Sequence, residues 1–183
     1  MPLPLETERL RLRPLQKSDY DFMRILHTDA RVMKYIGSSL TRTEAQTHAG
    51  MDRALSLSQE NPLLGAWIAE LRDTGVPIGN LLVRKPATQE ETEGLEIGFS
   101  FIPSHWGQGY ATEASRGIIE YIARHFGAAM RVVALIDPAN GASRRTLTKL
   151  GFVPAGESQY VDATTGAVLP TEILELGGLK QTL

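Results

Sequence analysis

The chain contains no cysteine, so it has no disulfide, no thiolate metal site and no cysteine nucleophile. It has no apolar run approaching the ~20 residues that span a bilayer. There is no excess of one charge: a formal net charge of −2 gives no basic footprint for nucleic acid. The opening Met1-Pro2-Leu3-Pro4-Leu5-Glu6 lacks both the basic and the apolar segments of a secretory signal. His27, His48, His105 and His125 fall at no metal-ligand spacing. Repeats, low-complexity tracts and linkers are also missing. These absences lead to the expectation of a soluble cytoplasmic protein with no metal, no membrane and no nucleic-acid partner, in one domain over residues 1–183. A chain of 183 residues, 42% of them hydrophobic, is long enough to bury roughly 70% of its unfolded surface.

What is present reads as alternating strands and helices. Leu10 and Leu12 alternate with Arg9, Arg11 and Arg13 at the period of a half-buried strand, which Pro14 stops. Ser18 is placed to cap a helix with Phe22, Ile25 and Leu26 on its apolar face. Thr41-x-x-Glu44 reads as a capping box opening a second helix, through Ala45, Met51 and Leu55 to about Gln59. Strands are expected at 66–71 and 78–83 around the turn Asp73-Thr74-Gly75, and at 95–102 after a polar connection over 88–93. Further strands fall at 131–136, 160–162 and 168–176, with a turn at Thr164-Thr165-Gly166. The order βααβββαβαββ fits an α/β mixed sheet with helices on both faces.

Residues 94–152 carry the most information. They run strand, glycine turn, helix, strand, helix, and the turn is His105-Trp106-Gly107-Gln108-Gly109-Tyr110-Ala111-Thr112. Two glycines one residue apart let main-chain N–H groups crowd together at a helix start. Those first-turn donors have no partner inside the helix, and the helix dipole adds positive potential. A nucleotide P-loop would need Gly-Lys-Ser/Thr, but Tyr110 and Ala111 follow Gly109. A dinucleotide fingerprint would need a third glycine where Thr112 stands, in the first βα unit rather than past mid-chain. The remaining ligand reading is a pyrophosphate held by main chain alone, as in acyl-coenzyme A binders. A ligand-free strand-to-helix turn stands beside it.

The turn resembles the R/Q-x-x-G-x-G/A signature of the GNAT N-acetyltransferase superfamily. The string Trp106 to Ala114, Trp-Gly-x-Gly-Tyr-Ala-Thr-Glu-Ala, resembles its RimJ/RimL-like branch. So do Asn140 and Ser143 followed by Lys149-Leu150-Gly151-Phe152, and Thr7-Glu8-Arg9-Leu10-x-Leu12-Arg13 near the start. Three motifs in order, from residue 7 to 152, cover most of the chain. The resemblance implies a GNAT-like fold: a central, mostly antiparallel sheet whose middle strands, here 95–102 and 131–136, splay to admit the pantetheine arm of acetyl-coenzyme A. Gly98 and Pro103 in the first of these are compatible with a bulge and unpaired main chain.

The resemblance also implies the site. Gly107, Gln108, Gly109, Tyr110, Ala111 and Thr112 would hold the pyrophosphate through main-chain N–H groups. Trp106 stands where the wider superfamily has a polar side chain. Unpaired groups near Phe99, Phe101 and Ile102 would meet the pantetheine amides. Asn140 either holds a pantetheine amide or caps the following helix. Ser143 either bonds the cofactor sulfur or is an ordinary first-turn serine. The tyrosine that much of the superfamily uses to protonate the leaving thiolate is replaced by Leu147. Of Arg144, Arg145 and Lys149, Arg145 is taken toward the ribose phosphate and the others toward solvent. Glu96 is expected to be the general base, acting through water, or else a polar residue on the wetter face of its strand.

The function expected from this is acetyl-coenzyme A-dependent N-acetyl transfer to a primary amine by direct attack in a ternary complex, from a monomer or homodimer. The amine is a protein N-terminus or a small molecule. A non-catalytic acyl-CoA-binding module is the alternative that Leu147 leaves open.

Overall fold

The computed structural model describes residues 4–87 and 94–176; the acidic stretch Glu90, Glu91 and Glu93 lies outside them. Eight strands form one sheet: β1 (Leu5–Glu6), β2 (Leu10–Pro14), β3 (Gly65–Leu71), β4 (Pro77–Arg84), β5 (Leu95–Phe101), β6 (Val132–Ile136), β7 (Phe152–Val161) and β8 (Val168–Leu176). Their order across the sheet is β1-β2-β3-β4-β5-β6-β8-β7. Every neighbouring pair is antiparallel except β5 and β6. The helices are α1 (Tyr20–Thr28), α2 (Ala30–Met33), α3 (Glu44–Glu60), α4 (Tyr110–Phe126) and α5 (Gly141–Lys149). The expected mixed sheet with helices on both faces is observed. No helix of the described residues is long and apolar enough to cross a membrane.

β3 shows why both faces are covered. Its alternate residues Trp67 and Ala69 join Leu10, Leu12, Ile118, Ile122 and Leu147 in one core under α4 and α5. Ala66 and Ile68 point the other way, to Phe22, Met23, Leu26 and Met51 of α1 and α3. A strand buried on both sides reads as a continuous apolar run, as Ala66–Ala69 does. In the opening motif, Arg13 donates bidentately to Asp19 (2.8 and 2.7 Å) and through Nε to Glu70 (2.7 Å), joining β2, β3 and the start of α1. Those bonds, led by the one to Asp19, raise the Arg13 pKa further.

Local expectations need four corrections. A single 3-10 turn, Lys17–Asp19, precedes α1, so Asp19 rather than Ser18 occupies the N-cap position. The helix is thereby rotated to bury Phe22, Met23 and Leu26, leaving Ile25 52% exposed. The capping box of α3 lies two residues later than read: Thr43 Oγ1 accepts from Gln46 N–H (3.3 Å) while Gln46 Oε1 accepts from Thr43 N–H (2.9 Å). The strand read at 160–162 starts at Phe152, and its polar run with Pro154 and Gly156 is tolerated because β7 is an edge strand bulged between those two residues. β5 carries no bulge: its register with β4 runs unbroken from Arg84↔Glu96 to Gly79↔Phe101.

Candidate active site

The unpaired main chain expected on β5 arises from divergence. β5 pairs with β6 only at Leu95↔Val132 and Glu96↔Val133, after which the strands part. Ile102 N–H donates back to Ile78 carbonyl on β4 (3.0 Å), and Leu95 N–H donates to Arg131 on the β6 side (2.9 Å). Antiparallel pairing alternates direction residue by residue, so Gly98 and Ser100 face β4. Phe99 and Phe101 turn their N–H groups into the gap, beyond the Glu96↔Val133 pair that ends the ladder. Ile102 is turned the other way: its N–H serves β4 and its carbonyl accepts from His105 N–H (3.0 Å).

The glycine turn lies beyond the end of β5. Pro103–His105 forms a 3-10 turn, and Trp106 Nε1 donates to the Phe101 carbonyl (2.6 Å), fixing the turn to the strand. Gly107 and Gly109 take φ of +74° and +83°, the left-handed region that favours glycine. Gly109 is the N-cap residue of α4 and supplies no side-chain cap; the first helical bond runs from Glu113 N–H to its carbonyl (3.0 Å). Among the described residues, the N–H groups from Gly107 to Thr112 donate to no other protein group. Residues 106–109 are exposed. A 17-residue helix thus presents its N-terminus uncapped beside an open strand edge, an arrangement that fits an extended anion such as a pyrophosphate.

The opening motif, whose role the sequence left unread, braces this turn. Arg9 N–H and Nε donate to Glu113 Oε1 and Oε2 (2.7 Å each), and Nη1 donates to the Gln108 carbonyl (3.0 Å). The Arg9 guanidinium lies 4.3 Å from the Tyr110 ring centroid, and Thr7 Oγ1 donates to Glu113 (2.6 Å). Burial pushes the Glu113 pKa up, but these donors outweigh it and hold it below the usual value.

A cleft of about 500 Å³ runs from the parted strands to α1 and α3, and its wall includes Glu96, Phe99, Asn140, Ser143 and Leu147. Glu96 is 5% exposed, so the wetter-face reading is wrong. Its carboxylate accepts from Arg84 Nη2 (2.8 Å), Arg84 Nε (3.1 Å) and Ala87 N–H (3.1 Å). Burial lowers the Arg84 pKa, but Glu96 and the Tyr160 phenol prevail and raise it. Asn140 does cap α5: its Oδ1 accepts from Ser143 N–H (3.1 Å), which leaves the amide Nδ2 to donate elsewhere. Ser143 is half-buried on the first turn of α5. Leu147 is fully buried between the cleft and the core. Arg144 is paired with Glu172, whereas Arg145 is exposed and forms no ion pair among the described residues.

The sequence reading missed several residues here. Arg84 becomes a neighbour of Glu96 only through the β4–β5 register, and Tyr160 of β7 meets Arg84 from across the cleft, its ring centroid 5.9 Å from the guanidinium. His27 and Arg42 meet on the far wall, where Arg42 Nη1 lies 3.3 Å from His27 Nε2 and His27 Nδ1 lies 3.2 Å from Thr47 Oγ1. Guanidinium cannot accept, so Nε2 is the acceptor and Nδ1 carries the proton. Burial and then the Arg42 charge push the His27 pKa down to about 4.

Comparison with known proteins agrees with this geometry. The family model described as the acetyltransferase (GNAT) domain matches residues 9–153. The N-acetyltransferase YoaA of Bacillus subtilis is 30% identical over 172 residues, covering 94% of this chain and 95% of its own. In fold, the chain is similar to RimL, a ribosomal α-N-protein acetyltransferase solved with coenzyme A (TM-score 0.74, 16% identity, 94% and 97% of the two chains). It is likewise similar to AAC(6′)-Ib solved with ribostamycin and coenzyme A (TM-score 0.73, 20% identity, 92% and 93%). The chain belongs to the GNAT acetyltransferase family, and its activity is acyl-CoA-dependent N-acetyl transfer.

Proposed function

We propose that residues 1–183 form one domain that moves the acetyl group of acetyl-coenzyme A to a primary amine by direct attack within a ternary complex. The observation that carries this is the continuity of three features: the uncapped α4 start, the open β5 edge, and the cleft holding Glu96 and Ser143. Acetyl-coenzyme A supplies the activated thioester. The N–H groups of Gly107, Gln108, Gly109, Tyr110, Ala111 and Thr112 hold its pyrophosphate. Phe99 and Phe101 N–H with Asn140 Nδ2 hold its pantetheine amides, and Arg145 meets its ribose phosphate. Trp106 keeps the turn seated on β5 rather than contributing charge.

Glu96 has about four lone-pair sites and three are occupied, which leaves one for a single water. Through that water it takes the proton of the incoming amine. An α-amine with pKa near 8 needs roughly 1 kcal/mol to be neutral at pH 7, and a lysine near 10.4 needs over about 4. The Ser143 hydroxyl, with no hydrogen bond among the described residues, donates to the departing sulfur where Leu147 cannot. With no cysteine to carry the acyl group covalently, direct attack is the simplest route.

The test is thiol release from acetyl-coenzyme A with a panel of peptide N-termini, amino acids, aminoglycosides and polyamines, alongside calorimetric binding of coenzyme A. Release that depends on one amine class, with an N-acetylated product by mass spectrometry, is expected. Tight coenzyme binding with no release on any amine would instead favour an acyl-CoA-binding module.

A further inference from the structure

The acceptor end of the cleft is cationic. Arg42, Arg53 and Arg84 line it, against the carboxylates of Glu96 and Asp137. Arg84 is closed on Glu96, and Asp137 Oδ1 accepts from Ala139 N–H (2.7 Å), bracing the loop before α5. Two guanidinium groups are therefore left. Nη1 of Arg42 and Nη2 of Arg53 converge over Gly50, 3.3 and 3.9 Å from where a Cβ would stand. Neither forms an ion pair among the described residues. Asp162 and Tyr160 act on Arg42 through space, but the Asp162 carboxylate is committed to Ser38 N–H (2.7 Å) and Thr164 N–H (2.8 Å).

Arg42 is held firmly. Its main-chain N–H donates to the His27 carbonyl (2.9 Å) and its side chain to the neutral His27 ring, which contributes no countercharge. Around it the cleft is apolar, with Leu15, Met23, Val32, Ile36, Met51 and Leu57 in the wall. A half-buried guanidinium among such residues loses hydration, the single bond to His27 replaces only part of it, and an anion would supply the rest. Its forked donors match a carboxylate.

We propose that the amine acceptor carries a carboxylate, which docks on Arg42 with Arg53 beside it while the amine points to Glu96 and Ser143. The proposal rests on the acetyltransfer reading of the same cleft and narrows it. Acceptors of this class are free amino acids or acidic peptide N-termini. Polycations are rejected because the same guanidinium groups repel them.

The test compares kcat/KM for amino acids against their carboxamides, for tripeptide amides with acidic against neutral residues, and for spermidine, all at fixed acetyl-coenzyme A. A preference of about 10- to 100-fold for the carboxylate-bearing member of either pair is expected, carried mainly by KM. Which pair shows it identifies the source of the carboxylate. In Arg42→Gln that preference collapses toward unity while coenzyme A affinity is retained. Equal rates within both pairs, preference for the amides or spermidine, or undiminished discrimination in a folded Arg42→Gln would overturn the proposal while leaving amine acetylation intact. Release with no amine at all would overturn both readings. Should Arg42→Gln not fold, the wild-type pairs and the exposed Arg53→Gln decide.

Discussion

The pyrophosphate assignment makes a quantitative demand on Gly109. A Cβ added there meets only Arg9 Nη2, at 3.5 Å, so the folded protein has room for a side chain. The backbone does not favour one: φ of +83° costs a non-glycine residue about 1–2 kcal/mol, more when it is β-branched. Gly109→Val should therefore melt earlier yet still fold. Its effect on the coenzyme should be larger and separable, because the branched side chain stands over the N–H groups of the first turn. A hydrogen bond to a charged partner contributes about 1.5–3 kcal/mol. Losing two weakens binding by roughly 3–6 kcal/mol, or about 10²- to 10⁴-fold in Kd. Calorimetry with coenzyme A reads the affinity and a melt confirms the fold. Acetyl-pantetheine, which lacks the pyrophosphate, supplies the control: its KM should be unchanged in the variant while that of acetyl-coenzyme A rises. A folded Gly109→Val whose coenzyme affinity lies within threefold of wild type refutes the reasoning.

His27 titrates near 4 in the folded chain and near 6.5 unfolded, so the unfolded state binds more protons between those values and stability falls as pH drops through that window. Between pH 7.5 and 5.5 the loss is about 1.3 kcal/mol, or roughly 3–5 °C in Tm, and a His27→Gln chain whose melting shows the same pH slope would contradict it. Gly79→Ala places a Cβ 2.3 Å from the Phe101 ring, so a loss of about 1–3 kcal/mol is expected, with an unchanged denaturation midpoint as the contrary result. Glu96→Gln should lower the acetylation rate most at neutral pH and recover as the amine deprotonates; a loss independent of pH would leave Glu96 only a structural role beside Arg84. Ser143→Ala should reduce kcat about 10²- to 10⁴-fold with little change in coenzyme A Kd, and an unchanged kcat would remove the hydroxyl from the reaction.

The features legible in the sequence were those encoded by a few consecutive residues. Two left-handed glycines at the head of an amphipathic helix announce an uncapped N-terminus without any knowledge of the sheet. Alternating leucines announce β2 in the same way. Features that depend on pairing were hidden. Arg84 and Glu96 are 12 positions apart, and nothing short of the β4–β5 register brings them together. His27 and Arg42 need the path of the chain between α1 and α3. The first part of β7, before residue 160, escaped because its exposed edge has no apolar alternation to read, and the N-cap was misread as Ser18 because a 3-10 turn was inserted before the helix. The capping box of α3 was seen but misplaced, since Thr41 and Thr43 offer the same chemistry two residues apart.

The opening motif shows how a distant segment shapes a site. Arg9 is a cation within reach of Gly109, and a natural guess would give it to the phosphates. Its Nε and Nη1 are instead turned to the Glu113 carboxylate and the Gln108 carbonyl, while its plane lies against Tyr110. Each of those partners borders an N–H group assigned to the pyrophosphate. Two glycines leave the turn many alternative conformations, and an anion site works only if its donors already converge before the ligand arrives. Thr7 and Arg9 supply that restraint from β2 side of the sheet. The motif at residues 7–13 and the motif at 106–114 are therefore one device, with the first holding the shape that the second uses.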